Sequence, residues 1–184
     1  MSGEDPPGER TLVLGVGNEL RSDDGVGSVV ARLLQEEALG EGVEVVDGAA
    51  GGLDLIFEMQ DYARVVIVDA ARMGLAPGAV RVVVREEIEV RVQPLASLHS
   101  LGLADVLELA ELAGVAPQVR VVAVEPAEVL PGMSLSPAVQ AAVPEIVRTV
   151  KELVGCPAWA ESPAAPPREV NQGGEGTQAD TDCG

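Results

Sequence analysis

The stretch Leu12-Val-Leu-Gly-Val-Gly-Asn-Glu-Leu-Arg-Ser-Asp-Asp-Gly-Val-Gly27 decides the fold predicted for this chain. Its apolar start belongs to a predicted strand over residues 11–16. The glycines and acids that follow predict a loop that opens a helix at residues 25–39. On open α/β sheets, functional side chains collect just beyond the carboxyl ends of strands. This loop is therefore the first place to look for chemistry.

The composition of the loop argues against phosphate binding. A dinucleotide fingerprint needs a third glycine where Leu20 stands, and a P-loop needs a lysine that the loop lacks. Asp23 and Asp24 would also place negative charge where a phosphate should bind. The loop suits a cation better. The alternative is that Asp23 or Asp24 only caps the helix and the glycines only make a turn.

The composition of the whole chain restricts its partners and its location. The 184 residues are 47% hydrophobic, which is enough for one domain with a proper core. A net charge of -18 argues against binding to nucleic acid or to anionic membranes. No apolar run approaches the roughly 18 residues of a membrane span, and the N-terminus lacks the features of a signal peptide, so we expect a cytoplasmic protein. Cys156 and Cys183 are interpreted as incidental thiols.

Alternating strand and helix patterns predict an α/β fold, with right-handed crossovers between parallel strands. We expect three α/β/α layers around a mainly parallel, twisted central sheet of about five strands. The single domain should span residues 11–155, between a disordered lead at residues 1–10 and a disordered acidic tail at residues 156–184. The predicted strands cover residues 11–16, 43–47, 64–69, 79–85 and 118–124, with 64–69 central and 79–85 at an edge.

The later helices carry recognisable start signals. Ser97 or Ser100 should cap a helix that ends near Gly114. Ser136 should cap a last helix that runs to residue 154 and is kinked at Pro144.

Three potential metal ligands follow or adjoin separate sheet elements. Asp24 lies after the first strand, Asp69 ends the third strand, and His99 is the one histidine of the chain. Carboxylate and imidazole ligands suit nickel, zinc or iron better than calcium. The alternatives are that Asp69 caps a turn and that His99 is a structural core residue.

Four blocks of the sequence, in this order, resemble the nickel-iron hydrogenase maturation proteases. The resemblance covers residues 11–153, nearly the whole of the predicted domain. The blocks are Gly15-Val-Gly-Asn18 with Asp23-Asp24-Gly25-Val-Gly27, then Val68-Asp69-Ala70 followed by Pro77-Gly78, then His99-Ser-Leu-Gly-Leu-Ala-Asp-Val-Leu107, and finally Ser136-Pro137-Ala-Val139.

The resemblance implies an α/β fold in which Asp24, Asp69 and His99 are the catalytic residues and the ligands of nickel. The family has either Glu or Asp at the first of these positions, and Asp24 is shorter than Glu by one methylene. Glu19 is a local competitor for this role.

The activity implied by the resemblance is that of an endopeptidase. It would remove a C-terminal extension from the hydrogenase large-subunit precursor after nickel insertion. The nickel would arrive with this protein substrate, so the isolated protein, expected to be a monomer, should be largely metal-free. The alternatives are a non-catalytic nickel-binding assembly protein for hydrogenase and, less in keeping with the loop, a nucleotide-binding oxidoreductase. If His99 is a ligand, processing should weaken below about pH 6.5, the reference pKa of histidine, with both aspartates still mostly ionised.

Overall fold

The computed structural model describes residues 10–49, 51–88 and 102–156, and its centre is a five-stranded mixed sheet. The strand order β2-β1-β3-β5-β4 puts β3 at the centre and β4 at one edge, as predicted. All neighbours pair in parallel except β4, which runs antiparallel to β5. The predicted fold class is therefore confirmed. The strands are β1 (Thr11–Gly15), β2 (Val43–Asp47), β3 (Arg64–Ala70), β4 (Val80–Val84) and β5 (Gln118–Val124).

Helices cover both faces of the sheet. The first and last helices pack on one face, and the two middle helices pack on the other. Because β3 is buried on both sides, its residues are apolar at successive positions rather than at alternate ones. Each fully buried Val or Leu stabilises the fold by about 1.5–3 kcal/mol relative to its exposed state. The helices are α1 (Val26–Gln35), α2 (Asp54–Met59), α3 (Leu103–Leu112) and α4 (Pro137–Val154).

Two predicted helix ends differ from the structure. Helix α1 ends at Gln35 rather than at residue 39, although Leu39 still packs against the same core cluster. The predicted serine cap of α3 is wrong, because Gly102 is the N-cap residue. The Gly102 N–H donates to Asp105 Oδ2 at 2.8 Å, so an acid inside the first turn satisfies the helix start.

Helix α4 begins as predicted. The Ser136 side chain accepts a hydrogen bond from the Val139 N–H at 3.4 Å, and Pro137 takes the first helical position. The helix continues without a break through Pro144 to residue 154. Its N-terminal end lies at the edge of the sheet that carries the candidate site.

The predicted domain boundaries, residues 11 and 155, stay a prediction. Cys156 is half-buried against the core cluster that contains α4. The predicted disordered lead, residues 1–10, and tail, residues 156–184, lie outside the described residues except for residues 10 and 156. Within the described part of the chain, no helix is long and apolar enough to cross a membrane.

Candidate active site

Acidic side chains collect at the carboxyl edge of the sheet, because the parallel strands all end there. Asp23 and Asp24 lie in a 3-10 turn, Ser22–Gly25, between β1 and α1. Asp69 is the penultimate residue of β3, and Glu125 follows β5. The structure thus brings the first loop and the end of the central strand to one edge.

The glycines of the first loop allow close packing rather than phosphate binding. A Cβ added at Gly27 would lie 2.1 Å from Val16 O and 2.4 Å from Val68 O. Gly17 has a φ of 142°, and a Cβ there would lie 1.8 Å from Asp24 O. Helix α1 can therefore start directly against the ends of β1 and β3, and the backbone of Asp24 is held against Gly17.

Asp23 and Asp24 do not cap α1. The N-cap residue of that helix is Gly25, with no side-chain cap hydrogen bond, so the capping alternative is wrong. Asp23 is instead completely buried and accepts hydrogen bonds from the segment between β5 and α4. The two aspartates therefore have different surroundings, and the role of Asp23 was not predicted from the sequence.

Asp24 and Asp69 form an electrostatically unfavourable pair of carboxyl groups. The pKa of Asp69 is raised to about 7. Burial is the main cause, and the negative charge of Asp24 is the second. Burial also raises the pKa of Asp24, while the Arg21 guanidinium and a backbone hydrogen bond from Asn18 partly offset this effect. The residue Asp69 as a whole is partly exposed, but protein atoms closely surround its carboxyl group. Two desolvated oxygen donors at one edge fit a divalent cation well.

The raised pKa of Asp69 corrects the expected pH dependence. We expected both aspartates to be mostly ionised below pH 6.5, but a pKa of about 7 means that Asp69 is largely protonated there when no cation is present. Desolvation is the main cause. Loss of cation binding at mildly acidic pH would therefore report on Asp69 as well as on His99.

Glu19, the competitor for the role of Asp24, is already paired. Its carboxylate forms an ion pair with the Arg32 guanidinium on α1, and both side chains are partly exposed. Asp24, by contrast, lies close enough to Asp69 for its charge to raise the pKa of that residue. The geometry thus favours Asp24 over Glu19 as the partner of Asp69.

Two other acids at this edge hold loops in place. Asp47 accepts hydrogen bonds from Ser28 Oγ at 2.7 Å and from Ala49 N at 3.0 Å. Glu125, which the sequence did not mark as important, is 5% exposed and accepts from Met73 N at 2.6 Å and Leu75 N at 3.1 Å. It therefore fixes the loop that follows Asp69. The available signal was an acid directly after a buried strand, which is the same signal that identified Asp69.

His99, the third predicted ligand, lies outside the described residues. Among the residues that are described, no group of three potential ligand side chains is assembled. Helix α3 begins at Leu103, which packs against the core cluster that contains Ala71, two residues after Asp69. The chain therefore re-enters the described structure on the face of the sheet that carries α2 and this core cluster.

Comparisons with known proteins give the same assignment for the chain. The family model described as hydrogenase maturation protease matches residues 28–153. The hydrogenase 2 maturation protease of Escherichia coli (strain K12) is 36% identical over 137 residues, which cover 73% of this chain and 84% of that protein.

Solved structures agree with these sequence matches. The hydrogenase maturating endopeptidase HybD from E. coli has a TM-score of 0.69 at 33% identity, with 77% of this chain and 89% of that chain covered. A hydrogenase 2 maturation peptidase from Thaumarchaeota archaeon SCGC_AB-539-E09 has a TM-score of 0.61 at 32% identity, covering 79% and 98%. With its mixed sheet, its acid pair at the carboxyl edge and these relatives, the chain belongs to the hydrogenase maturation protease family and is an endopeptidase.

Proposed function

We propose that this endopeptidase removes a C-terminal extension from the nickel-loaded large-subunit precursor of a nickel-iron hydrogenase. Asp24, Asp69 and His99 would bind the nickel that the precursor carries. The observation that supports this proposal best is the Asp24–Asp69 pair, two carboxyl groups whose pKa values are raised by burial and of which Asp24 further raises the pKa of Asp69. Such a pair is unfavourable for stability but well suited to receive a divalent cation.

The position of α3 supports His99 as the third ligand. His99 precedes Leu103 by four residues, and an extended chain of four residues spans at most about 14 Å. Leu103 and Ala71 belong to the same packed cluster. The described chain that follows His99 therefore begins on the face of the sheet that also carries Ala71, two residues after Asp69.

The proposed chemistry needs no serine or cysteine nucleophile. A divalent cation can polarise a peptide carbonyl or lower the pKa of a water molecule. The residues of this chain would position the cation, and a carboxylate that is not fully neutralised by it could hold a proton of the attacking water. Because the cation belongs to the substrate, a nickel-free precursor would not assemble the site, which would make nickel a recognition signal.

The proposal is tested by incubating the protein with nickel-loaded and nickel-free precursor. Mass spectrometry should show loss of the C-terminal peptide only from the nickel-loaded form. His99→Gln and Asp69→Asn should each reduce the rate by at least about 100-fold, the usual size of effect when a catalytic group is lost.

Glu19→Gln is the matched control, because it changes an acid to its amide in the same loop but at a residue paired with Arg32. It should leave the rate within about twofold, since exposed ion pairs contribute little. Cleavage by His99→Gln at the wild-type rate would exclude His99 from the site. Tight nickel binding without any cleavage would favour the non-catalytic assembly protein instead.

A further inference from the structure

Among the described acidic side chains at the carboxyl edge of the sheet, Asp23 accepts the most hydrogen bonds. Its carboxylate has no solvent exposure. Oδ2 accepts from Ala127 N at 2.8 Å, from Glu128 N at 3.1 Å and from Ser136 Oγ at 2.9 Å, and Oδ1 accepts from Ser136 N at 2.6 Å. All four donors belong to the segment between β5 and α4, more than 100 residues further along the chain.

Backbone hydrogen bonds join the same two segments on the N-terminal side of Asp23. Ser22 N donates to Gly132 O at 2.9 Å, and Gly132 N donates to Leu20 O at 3.0 Å. Ser22 Oγ donates to Leu130 O at 3.0 Å. The first loop is therefore fixed at residues 20–23 to a segment that itself leads into the N-terminus of α4.

This anchoring ends one residue before Asp24. With planar trans peptides, only two backbone dihedrals per residue are soft, and consecutive Cα atoms are 3.8 Å apart. Once Asp23 is fixed, the carboxylate of Asp24 has few remaining degrees of freedom. On the other side, Asp24 O lies against Gly17, where a Cβ would come within 1.8 Å.

The hydrogen bonds of Asp23 restrict where the neighbouring Asp24 can lie. Asp24 lies in the 3-10 turn directly after Asp23, so without the contacts of Asp23 this turn could direct the Asp24 side chain towards water. The backbone and Ser136 contacts of Asp23 are charge-assisted hydrogen bonds in a dry environment, and these are the strong ones. They hold the turn that carries Asp24 in place.

We propose that Asp23 is a positioning residue, whose four buried hydrogen bonds to residues 127–136 hold Asp24 beside Asp69 in the arrangement that receives a divalent cation. This inference rests on the proposed function for the cation-binding role of Asp24 and Asp69. Asp23 itself contacts neither the cation nor the peptide. Ser136 takes part, because its hydroxyl both donates to Asp23 and accepts from Val139 N at the start of α4.

Nickel ion alone is a suitable probe, with its dissociation constant measured by isothermal titration calorimetry on the full chain. Asp23→Asn keeps the size of the side chain but turns one acceptor into an N–H donor, which must then face an N–H or O–H that now lacks its partner. We expect nickel affinity to fall at least tenfold in Asp23→Asn. Ser136→Ala removes one of the four hydrogen bonds and should weaken binding by a smaller factor, about threefold.

A merely structural role would lower stability without changing the affinity of the folded protein. Ile146→Ala is the matched control, because Ile146 is completely buried in α4, ten residues beyond Ser136, and its truncation destabilises the core without touching the loop. All affinities are measured at a temperature where circular dichroism shows each variant fully folded. Ile146→Ala should bind nickel as the wild type does.

The outcomes separate this inference from the proposed function. Wild-type nickel affinity in folded Asp23→Asn, together with loss of binding in Asp24→Asn and Asp69→Asn, would overturn the positioning role alone. Wild-type affinity in Asp24→Asn and Asp69→Asn would overturn the proposed metal site itself. Equal losses in Asp23→Asn and Ile146→Ala would show that Asp23 acts only through stability, and would also overturn the positioning role.

Discussion

Asp23 and Asp24 are neighbours with identical side chains, yet the fold gives their carboxyl groups opposite surroundings. Asp23 is fully buried and accepts four hydrogen bonds from one distant segment. Asp24 is desolvated beside Asp69, and each of these two groups has a raised pKa. The first carboxylate stabilises the structure, whereas the second stores an electrostatic cost that a cation can relieve. Adjacent residues can thus serve stability and chemistry separately.

Removing the carboxylate of Asp23 should have the largest effect on stability. Asp23→Ala leaves three backbone N–H groups and the Ser136 hydroxyl without their acceptor in the interior. Buried unsatisfied donors are costly, so we expect the free energy of unfolding to fall by about 4 kcal/mol. Urea denaturation checks this value. A loss below about 1 kcal/mol would mean that water replaces the carboxylate and that the contrast with Asp24 is weak.

Removing the carboxylate of Asp69 should instead raise the free energy of unfolding. Asp69→Asn removes a carboxylate whose pKa is raised to about 7 by burial and by the charge of Asp24. At pH 8 this variant should be more stable than the wild type by about 1–2 kcal/mol, since each unit of pKa shift corresponds to roughly 1.4 kcal/mol and partial solvent access reduces the full value. Thermal unfolding at pH 8 measures it. Destabilisation instead would show that Asp69 is a structural group like Asp23.

The difference in stability between Asp69→Asn and the wild type should depend on pH. The folded state keeps the proton of Asp69 up to about pH 7, whereas the unfolded state releases it near the ordinary value of 3.8. The folded state thus binds more protons between these values, and wild-type stability should fall as pH rises from 4 to 7 and then level off. Asp69→Asn should lack this part of the dependence. A difference that is the same at pH 4 and pH 8 would remove the electrostatic explanation.

Titration of Asp69 tests directly whether Asp24 lies beside it. In Asp24→Asn, the pKa of Asp69 should fall below 7, because the neighbouring negative charge is gone, but it should stay above 3.8, because burial is the larger cause. Carbon-13 NMR of the aspartate carboxyl groups can follow this titration in both proteins. An unchanged pKa would mean that Asp24 does not face Asp69.

The smallest effect should come from the third acid of the loop. Glu19→Gln breaks an exposed ion pair with Arg32, so we expect a change in stability of less than about 0.5 kcal/mol. Calorimetric titration with nickel should give wild-type affinity for the same variant. A strong loss of nickel affinity would assign the ligand role to Glu19 rather than to Asp24.

Much of the fold followed from local pattern. The doubly buried run in β3 and the edge position of β4 were predicted correctly, because strand burial is encoded in the spacing of apolar residues. The end of α1 and the cap of α3 were predicted wrongly. The start of α3 depends on a single hydrogen bond from Gly102 to Asp105, which the hydrophobic pattern does not register.

The candidate site was predictable in part. An acid directly after a strand indicates the carboxyl edge of the sheet, and this signal marked Asp69 correctly as a residue of that edge. The same signal also applies to Asp47 and Glu125, which hold loops through hydrogen bonds. Sequence pattern therefore located the edge without ranking the acids along it.

By itself, the sequence determined the α/β fold, the strand positions and the family resemblance, because these depend on the periodicity of apolar residues and on short motifs. The family resemblance singled out Asp24 in the first loop, but only the tertiary structure showed that Asp23 is an anchor and that Asp24 lies near Asp69. The donors of Asp23 lie 104 to 113 residues away, and the pKa of Asp69 depends on burial and on Asp24, 45 positions earlier in the chain. Contacts over such separations form only when the sheet brings the carboxyl ends of its strands together. They therefore cannot be inferred from the residues that flank the two aspartates.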